Sequence, residues 1–315
     1  MIFGFVLVLL IAGAALIVGA AYLMARALLC PPRMTDGKAA WVLKRLSPGD
    51  LGLAFQQVSF EIRDEQTGGP FHVAGWWMPH PNAGGRCVVL IHGYADAKVG
   101  AIAWAPLFHR LGFNILAVDL RAHGESDGTF TTGGYYEQRD LSQVIDQIRA
   151  QRPTETRTVV LFGISLGGSV AAATAVARED IAGVVLDSPS TGEDHVAMIH
   201  FDLMGMPGPW IQRLALRMVR WLSGADLAAV RPLELIKQIR CPLMVIQPTD
   251  DVYVPPEDGA AIEAAAQSRP ADHPTVYWHV EGAKHVMGLT SAPEEYRRRI
   301  ADFLDQFVVQ TTHEN

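Results

Sequence analysis

The chain predicts an α/β fold: a mostly parallel sheet with helices on both faces and an antiparallel hairpin at one edge, preceded by a single apolar helix. Three observations carry this expectation. Short runs rich in β-branched residues recur at 87–91, 114–118, 159–162, 183–186, 243–246 and 276–280, with helical patterns between them. Strands buried on both faces and spaced by helices form parallel sheets with right-handed crossovers. Residues 55–63 alternate apolar and polar side chains, turn at Thr67-Gly68-Gly69-Pro70 and continue as a second strand at 71–78, which reads as the edge hairpin. Residues 1–25 carry no charged side chain. A helix of that length reaches ~37 Å, enough to cross a ~30 Å hydrocarbon core with tilt.

Taken in order, residues 1–29 read as a retained transmembrane anchor. A cleaved signal would need a basic n-region, which is missing here, and Leu29 before Cys30 is a poor lipoprotein-type site. Ala15 and Gly19 have a spacing that lets helices approach closely. Arg26, Arg33, Lys38, Lys44 and Arg45 all lie on the C-terminal side of the uncharged stretch 1–25, so the positive-inside rule expects the globular part to face the cytoplasm. Cys30-Pro31-Pro32 breaks the helix, residues 30–53 read as a linker, and 54–310 as the main domain. Within it, about 190–238 exceeds what a crossover helix needs and reads as a helical cap insertion. There Trp210, Ile211, Leu214, Met218, Trp221 and Leu222 cover half of a helical wheel, while Arg213, Arg217 and Arg220 cluster opposite. Two readings of that helix stay open: an apolar face packed on the domain, or a helix resting on an anionic membrane surface and admitting lipid-like substrates.

The stretch that organises the domain is 158–177. A β-branched run leads into Gly163-Ile164-Ser165-Leu166-Gly167, and an Ala-rich helical segment follows. A serine on a tight strand-to-helix turn is held in a strained backbone, and Gly163, Gly167 and Gly168 supply room around it. Ser165 is therefore the candidate nucleophile. It needs a base, a group to orient that base and donors for an oxyanion. His285, in the loop after the last strand, is the best placed of the eleven histidines. His279 sits inside that strand, and His92 reads as loop packing. The orienting carboxylate is Asp250 or Asp251, in the loop after the preceding strand, with Asp251 favoured by its spacing to Val254-Pro255. Asp187 is the rival, and its ordinary reading is a turn or capping residue beside Ser188-Pro189. The backbone N–H groups of Leu166 and Tyr94 are the candidate oxyanion donors. Residues 119–128, including His123, read as a brace for the loops.

Composition excludes other classes. The net charge is −7 and no basic stripe is interleaved with aromatics, which argues against nucleic acid. Cys30, Cys87 and Cys241 have no paired or ligand spacing; Cys87 and Cys241 are expected at the starts of buried strands, reduced. No metal site and no cofactor is expected, because there is no H-E-x-x-H, cysteine cluster, G-x-G-x-x-G or Walker sequence.

These motifs, His92-Gly93-Tyr94, the D-x-R-G-H-G-x-S-x-G stretch at 119–128, the Gly163–Gly168 turn and the Asp251 and His285 loops, resemble the α/β-hydrolase superfamily over about 55–307. The similarity is greatest to membrane-anchored bacterial serine hydrolases and to the serine-aminopeptidase-like and monoglyceride-lipase-like branches. The resemblance implies an α/β-hydrolase fold and a Ser-Asp-His triad of Ser165, Asp251 and His285. Ala122 departs from the pattern, which usually has glycine there. The expected protein is a serine hydrolase of carboxylic esters, its partners a small or lipid-like ester and, through the N-terminal helix, a membrane, in a single-pass arrangement in a bacterial inner membrane. A thioesterase or aminopeptidase-like amidase would use the same machinery. A non-catalytic membrane scaffold that kept the fold is the alternative from another class.

Overall fold

The computed structural model describes residues 2–206 and 208–309. Residue 310, the expected end of the main domain, lies outside the described residues. Eight strands form one sheet: β1 (Gln56–Arg63), β2 (Pro70–Met78), β3 (Arg86–Ile91), β4 (Asn114–Val118), β5 (Thr158–Ile164), β6 (Ile181–Asp187), β7 (Leu243–Pro248) and β8 (Thr275–Val280). Their spatial order is β1-β2-β4-β3-β5-β6-β7-β8. β1 pairs antiparallel with β2, and β2 with β4. All other neighbours are parallel. This is the α/β-hydrolase architecture that the sequence predicts.

The pleat explains the continuous apolar runs. In β3, Cys87, Val89 and Ile91 join one core while Val88 and Leu90 join the other, on the opposite face. Every residue of β4 and β5 is buried, as a strand covered on both sides requires. β1 buries only Phe60 and Ile62, because it lies at the edge. Cys87 is buried within β3, but Cys241 is half-buried and precedes β7 instead of starting it.

Because β3, β5, β7 and β8 run parallel, the loops after them emerge at one edge of the sheet. These are the loops that carry Tyr94, Ser165, Asp251 and His285. Residues 36–42 and 48–51, within the stretch expected as a linker, form short helices (Asp36–Val42 and Pro48–Leu51). Arg45 donates to the carbonyls of Val99 and Gly100, which ties this stretch to the domain.

The N-terminal helix, Ile2–Leu29, has a mean hydropathy of 2.8 over its most apolar window and is long and apolar enough to cross a membrane. None of its residues from Ile2 to Ala20 is buried. Beyond them Ala21, Met24, Ala25 and Leu29 are buried in a small core with Ile211, Ala215 and Val219 of the cap helix Pro209–Ser223. That helix therefore buries a stripe rotated from the middle of its apolar face. Trp210 and Trp221, at the flank of that face, stay 57% and 78% exposed beside the arginines.

Candidate active site

β5 ends at Ile164 and the next helix, Leu166–Ala177, begins two residues later, so Ser165 makes the whole turn with φ 53° and ψ −117°. A left-handed serine is costly and needs an over-determined surround. Two glycines provide it. A Cβ on Gly163 would stand 2.2 Å from the Gly167 carbonyl oxygen, and one on Gly167 would stand 2.2 Å from that of Ile91. Gly168 differs from expectation: a Cβ there would meet nothing closer than 3.6 Å, so its small size is not what shapes the turn. The Ser165 N–H donates to Asp187 O at 2.9 Å, which fixes the turn against β6.

Three of the expected residues meet. His285 Nε2 is 2.9 Å from Ser165 Oγ, and His285 Nδ1 is 2.6 Å from Asp251 Oδ2. The other Asp251 oxygen accepts the N–H groups of Tyr253 at 2.8 Å and Val254 at 3.2 Å, so the carboxylate is buried yet hydrogen-bonded on both oxygens. The two loops are joined to each other: Asp250 N–H donates to Ala283 O, and Gly282 N–H to Thr249 Oγ1. Val286, immediately after the histidine, has φ 60° and Ser188 has φ 55°, and the Val286 N–H donates to Ser188 Oγ at 3.0 Å. A β-branched residue in the left-handed region is a rare strain, and such strain clusters at functional sites.

Asp187 is elsewhere. Its carboxyl is buried, bonded to the Tyr296 hydroxyl at 2.5 Å and to Ser188 Oγ at 2.8 Å, and burial pushes its pKa up. His279 pairs with Glu263 on the outside of β8. His92 accepts from Leu120 N–H through Nε2 while Nδ1 bonds to Gly93 O, and His123 accepts from Ala95 N–H and bonds to Arg121 O. Burial lowers both imidazoles, His123 to about 3, so neither carries charge near neutrality. The 119–128 stretch braces the loops as expected. Lys98 Nζ bonds to Asp119, and Arg121 reaches Asp140 and Asp64 from a fully buried position. Ala122, where the superfamily pattern has glycine, sits at φ 61°.

The Gly93-Tyr94 loop lies against the nucleophile: a Cβ on Gly93 would stand 3.4 Å from Ser165 Cβ. No hydrogen bond among the described residues uses the Tyr94 or Leu166 N–H. Leu166 is also the first residue of its helix, whose free N–H groups and dipole give that end positive character beside Ser165. A cavity of ≈ 340 Å³ opens over Ser165 and His285. Its walls are mostly apolar and include Val196, Ala197, Val219 and Leu227 of the cap, and Leu28 and Leu29 of the N-terminal helix. Two carboxyls interrupt them, Asp96 and Glu193, and burial raises both pKa values. Glu193, pushed up to about 7, accepts from Ser169 Oγ at 2.5 Å and Ser190 Oγ at 3.3 Å through the same oxygen. Neither acid stood out in the sequence: Asp96 lies two residues after Tyr94 in the loop after β3, and Glu193 reaches the site from the first turn of a cap helix, a contact that no local pattern marks. Among the described residues no cluster of His, Cys, Asp or Glu could hold a metal ion.

A family model described as "Serine aminopeptidase, S33" matches residues 85–225. The chain is 25% identical over 240 residues to Bacillus subtilis YqkD, covering 75% of this chain and 74% of that protein. It is 27% identical over 248 residues to Mycobacterium tuberculosis Rv2307c, covering 78% of each. Both relatives carry the description "uncharacterized protein". The fold is similar to that of the Pyrococcus furiosus esterase Pf2001, with a TM-score of 0.70 at 23% identity over 88% of this chain and 99% of that one.

Proposed function

As a member of the α/β-hydrolase superfamily, the chain, we propose, is a membrane-anchored serine hydrolase that cleaves carboxylic esters with an apolar acyl or alkyl part. The observation that carries this reading is the hydrogen-bonded series from Ser165 Oγ through His285 to Asp251, at 2.9 and 2.6 Å, at the floor of an apolar cavity. Ser165 Oγ attacks the ester carbonyl while His285 Nε2 takes its proton. The N–H groups of Tyr94 and Leu166 hold the developing oxyanion, and the imidazolium then protonates the departing alkoxide. Asp251 fixes the imidazole with Nδ1–H toward itself and stabilises the cation. Water, activated by the same imidazole, attacks the acyl-enzyme and regenerates Ser165. The elbow carries a serine and no carboxylate, so this is acyl transfer to water, not the carboxylate-nucleophile chemistry of dehalogenases.

The length and composition of Ile2–Leu29 support anchoring, and the basic residues that follow it support a cytoplasmic catalytic domain. A second reading, amide hydrolysis, is favoured by the serine-aminopeptidase description of the matching family. The same triad serves both, because the preference for a leaving group resides in the cavity's shape. Hydrolysis of matched ester, thioester and amide substrates by the full-length protein in detergent separates these readings. The ester is expected to give the largest kcat/KM, with a preference for longer alkyl parts. A larger value for the amide would replace the ester reading. No turnover of any of them, with the fold intact, would favour a scaffold.

A further inference from the structure

The helix that reads as an anchor ends inside the catalytic apparatus. The last four carbonyls of a helix have no partner within it, and here the loops of the site supply partners. The Tyr94 hydroxyl donates to Ala27 O at 2.8 Å and to Leu28 O at 3.1 Å, and Thr131 N–H donates to Leu29 O at 2.8 Å. Just beyond, the Arg33 guanidinium donates to the carbonyls of Gly124, Ser126 and Gly128 at 2.7–2.9 Å. Leu28 and Leu29 face the cavity that contains Ser165 and His285. Simple tethering to a bilayer needs none of these contacts.

We propose that the last turn of the N-terminal helix is part of the substrate site: Leu28 and Leu29 form a wall for the alkyl chain, and the Ala27 and Leu28 carbonyls position, through the Tyr94 hydroxyl, the loop whose N–H faces the nucleophile. This rests on the ester-hydrolase reading and names its substrate as an ester with an alkyl chain drawn from the membrane surface. The helix's uncovered stretch, Ile2 to Ala20, is ~28 Å long and matches a ~30 Å hydrocarbon core. Leu28 then lies ~12 Å further along the axis, just beyond the headgroup layer at the membrane surface. Leu203 ends the first cap helix (Glu193–Leu203), Met204 follows it and Trp210 lies in the first turn of the second (Pro209–Ser223), and all three are exposed. The second helix is the one that packs on Ala21, Met24, Ala25 and Leu29, so these side chains add an apolar, tryptophan-bearing surface beside the N-terminal helix. Tyr94 thus acts in two ways, its backbone toward the oxyanion and its side chain as a positioning group.

The test compares rates of covalent labelling of the full-length protein, in phospholipid vesicles, by ethyl and dodecyl fluorophosphonates. Leu28→Trp, which fills the wall, is expected to lower the dodecyl-to-ethyl rate ratio about tenfold or more. Leu28→Phe, a smaller insertion, is expected to shift it in the same direction and serves if the Trp variant fails to fold. Tyr94→Phe is expected to slow both probes by about three- to tenfold at an unaltered ratio, since it loosens the loop without narrowing the cavity. A folded Leu28→Trp or Leu28→Phe protein with the wild-type ratio would overturn the wall. A Tyr94→Phe protein labelled at wild-type rates would overturn the positioning role. Wild type labelled by neither probe would overturn the hydrolase reading and this inference with it, an outcome distinct from the other two.

Discussion

The cavity over Ser165 has two walls made in different ways. The floor is built by loops at the ends of parallel strands, where each group is fixed by neighbours that leave it no alternative. Ser165 is held in its turn by the absence of side chains at Gly163 and Gly167, and Asp251 has both oxygens hydrogen-bonded. The roof is built by the cap and the end of the N-terminal helix, where packing of Ala21, Ala25, Ile211, Ala215 and Val219 sets the position. Such a difference separates chemistry from selectivity. A floor fixed by close backbone packing and hydrogen bonds tolerates almost nothing, whereas an apolar roof tolerates change of volume and answers with altered substrate preference.

Substitution should expose that contrast most strongly at the elbow. In Gly167→Ala the new methyl group would sit 2.2 Å from the Ile91 carbonyl oxygen and 2.7 Å from that of His92. The helix must move off β3, carrying Leu166 N–H and Ser165 with it. A loss of about 10²-fold or more in kcat is expected, together with a stability loss of about 2–4 kcal/mol. Full activity in this variant would mean that the floor is less constrained than the glycines imply.

A smaller effect is expected at the roof. Burial raises the Glu193 carboxyl above its ordinary value to about 7, and the neighbouring Glu137 and Asp194 push it the same way, against the hydroxyls of Ser169 and Ser190. A raised carboxyl pKa means that the folded state favours the protonated form. Its contribution to stability is fully present below the ordinary glutamate range and is lost as pH rises through about 7. Glu193→Gln cannot ionise. The melting temperature of wild type should therefore fall relative to the variant between about pH 5 and pH 8, by a few degrees. Parallel melting curves across that range would mean that the carboxyl is solvated and titrates normally.

How much of each wall was legible follows the same division. Ser165 stands out because glycines two positions to either side, Gly163 and Gly167, leave the room its tight turn needs, and a β-branched run before it and an Ala-rich segment after it mark strand and helix. His285 and Asp251 follow from chain order, since loops after parallel strands must share an edge. The roof depends on contacts between residues far apart in the chain: Tyr94 reaches Ala27 across 67 positions, and Glu193 meets Ser169 across 24. No local pattern carries such pairings. Periodicity gave the cap helix an apolar half but not the angle at which it docks. Its buried stripe runs through Ile211, Ala215 and Val219, and the two tryptophans are left at the edge. The length of the N-terminal helix was plain from its composition; that its last turn closes the cavity was not, because Leu28 and Leu29 read equally well as lipid-facing.

The central claim is that Ser165 is a nucleophile activated by His285. The most direct measurement is fluorophosphonate labelling of the full-length protein in membranes, followed by mass analysis of the modified peptide, in wild type, Ser165→Ala and His285→Ala. The account predicts one adduct on Ser165 in wild type, none in Ser165→Ala, and labelling at least about 10²-fold slower in His285→Ala. Labelling of Ser165→Ala at the wild-type rate, or equal rates in wild type and His285→Ala, would contradict it.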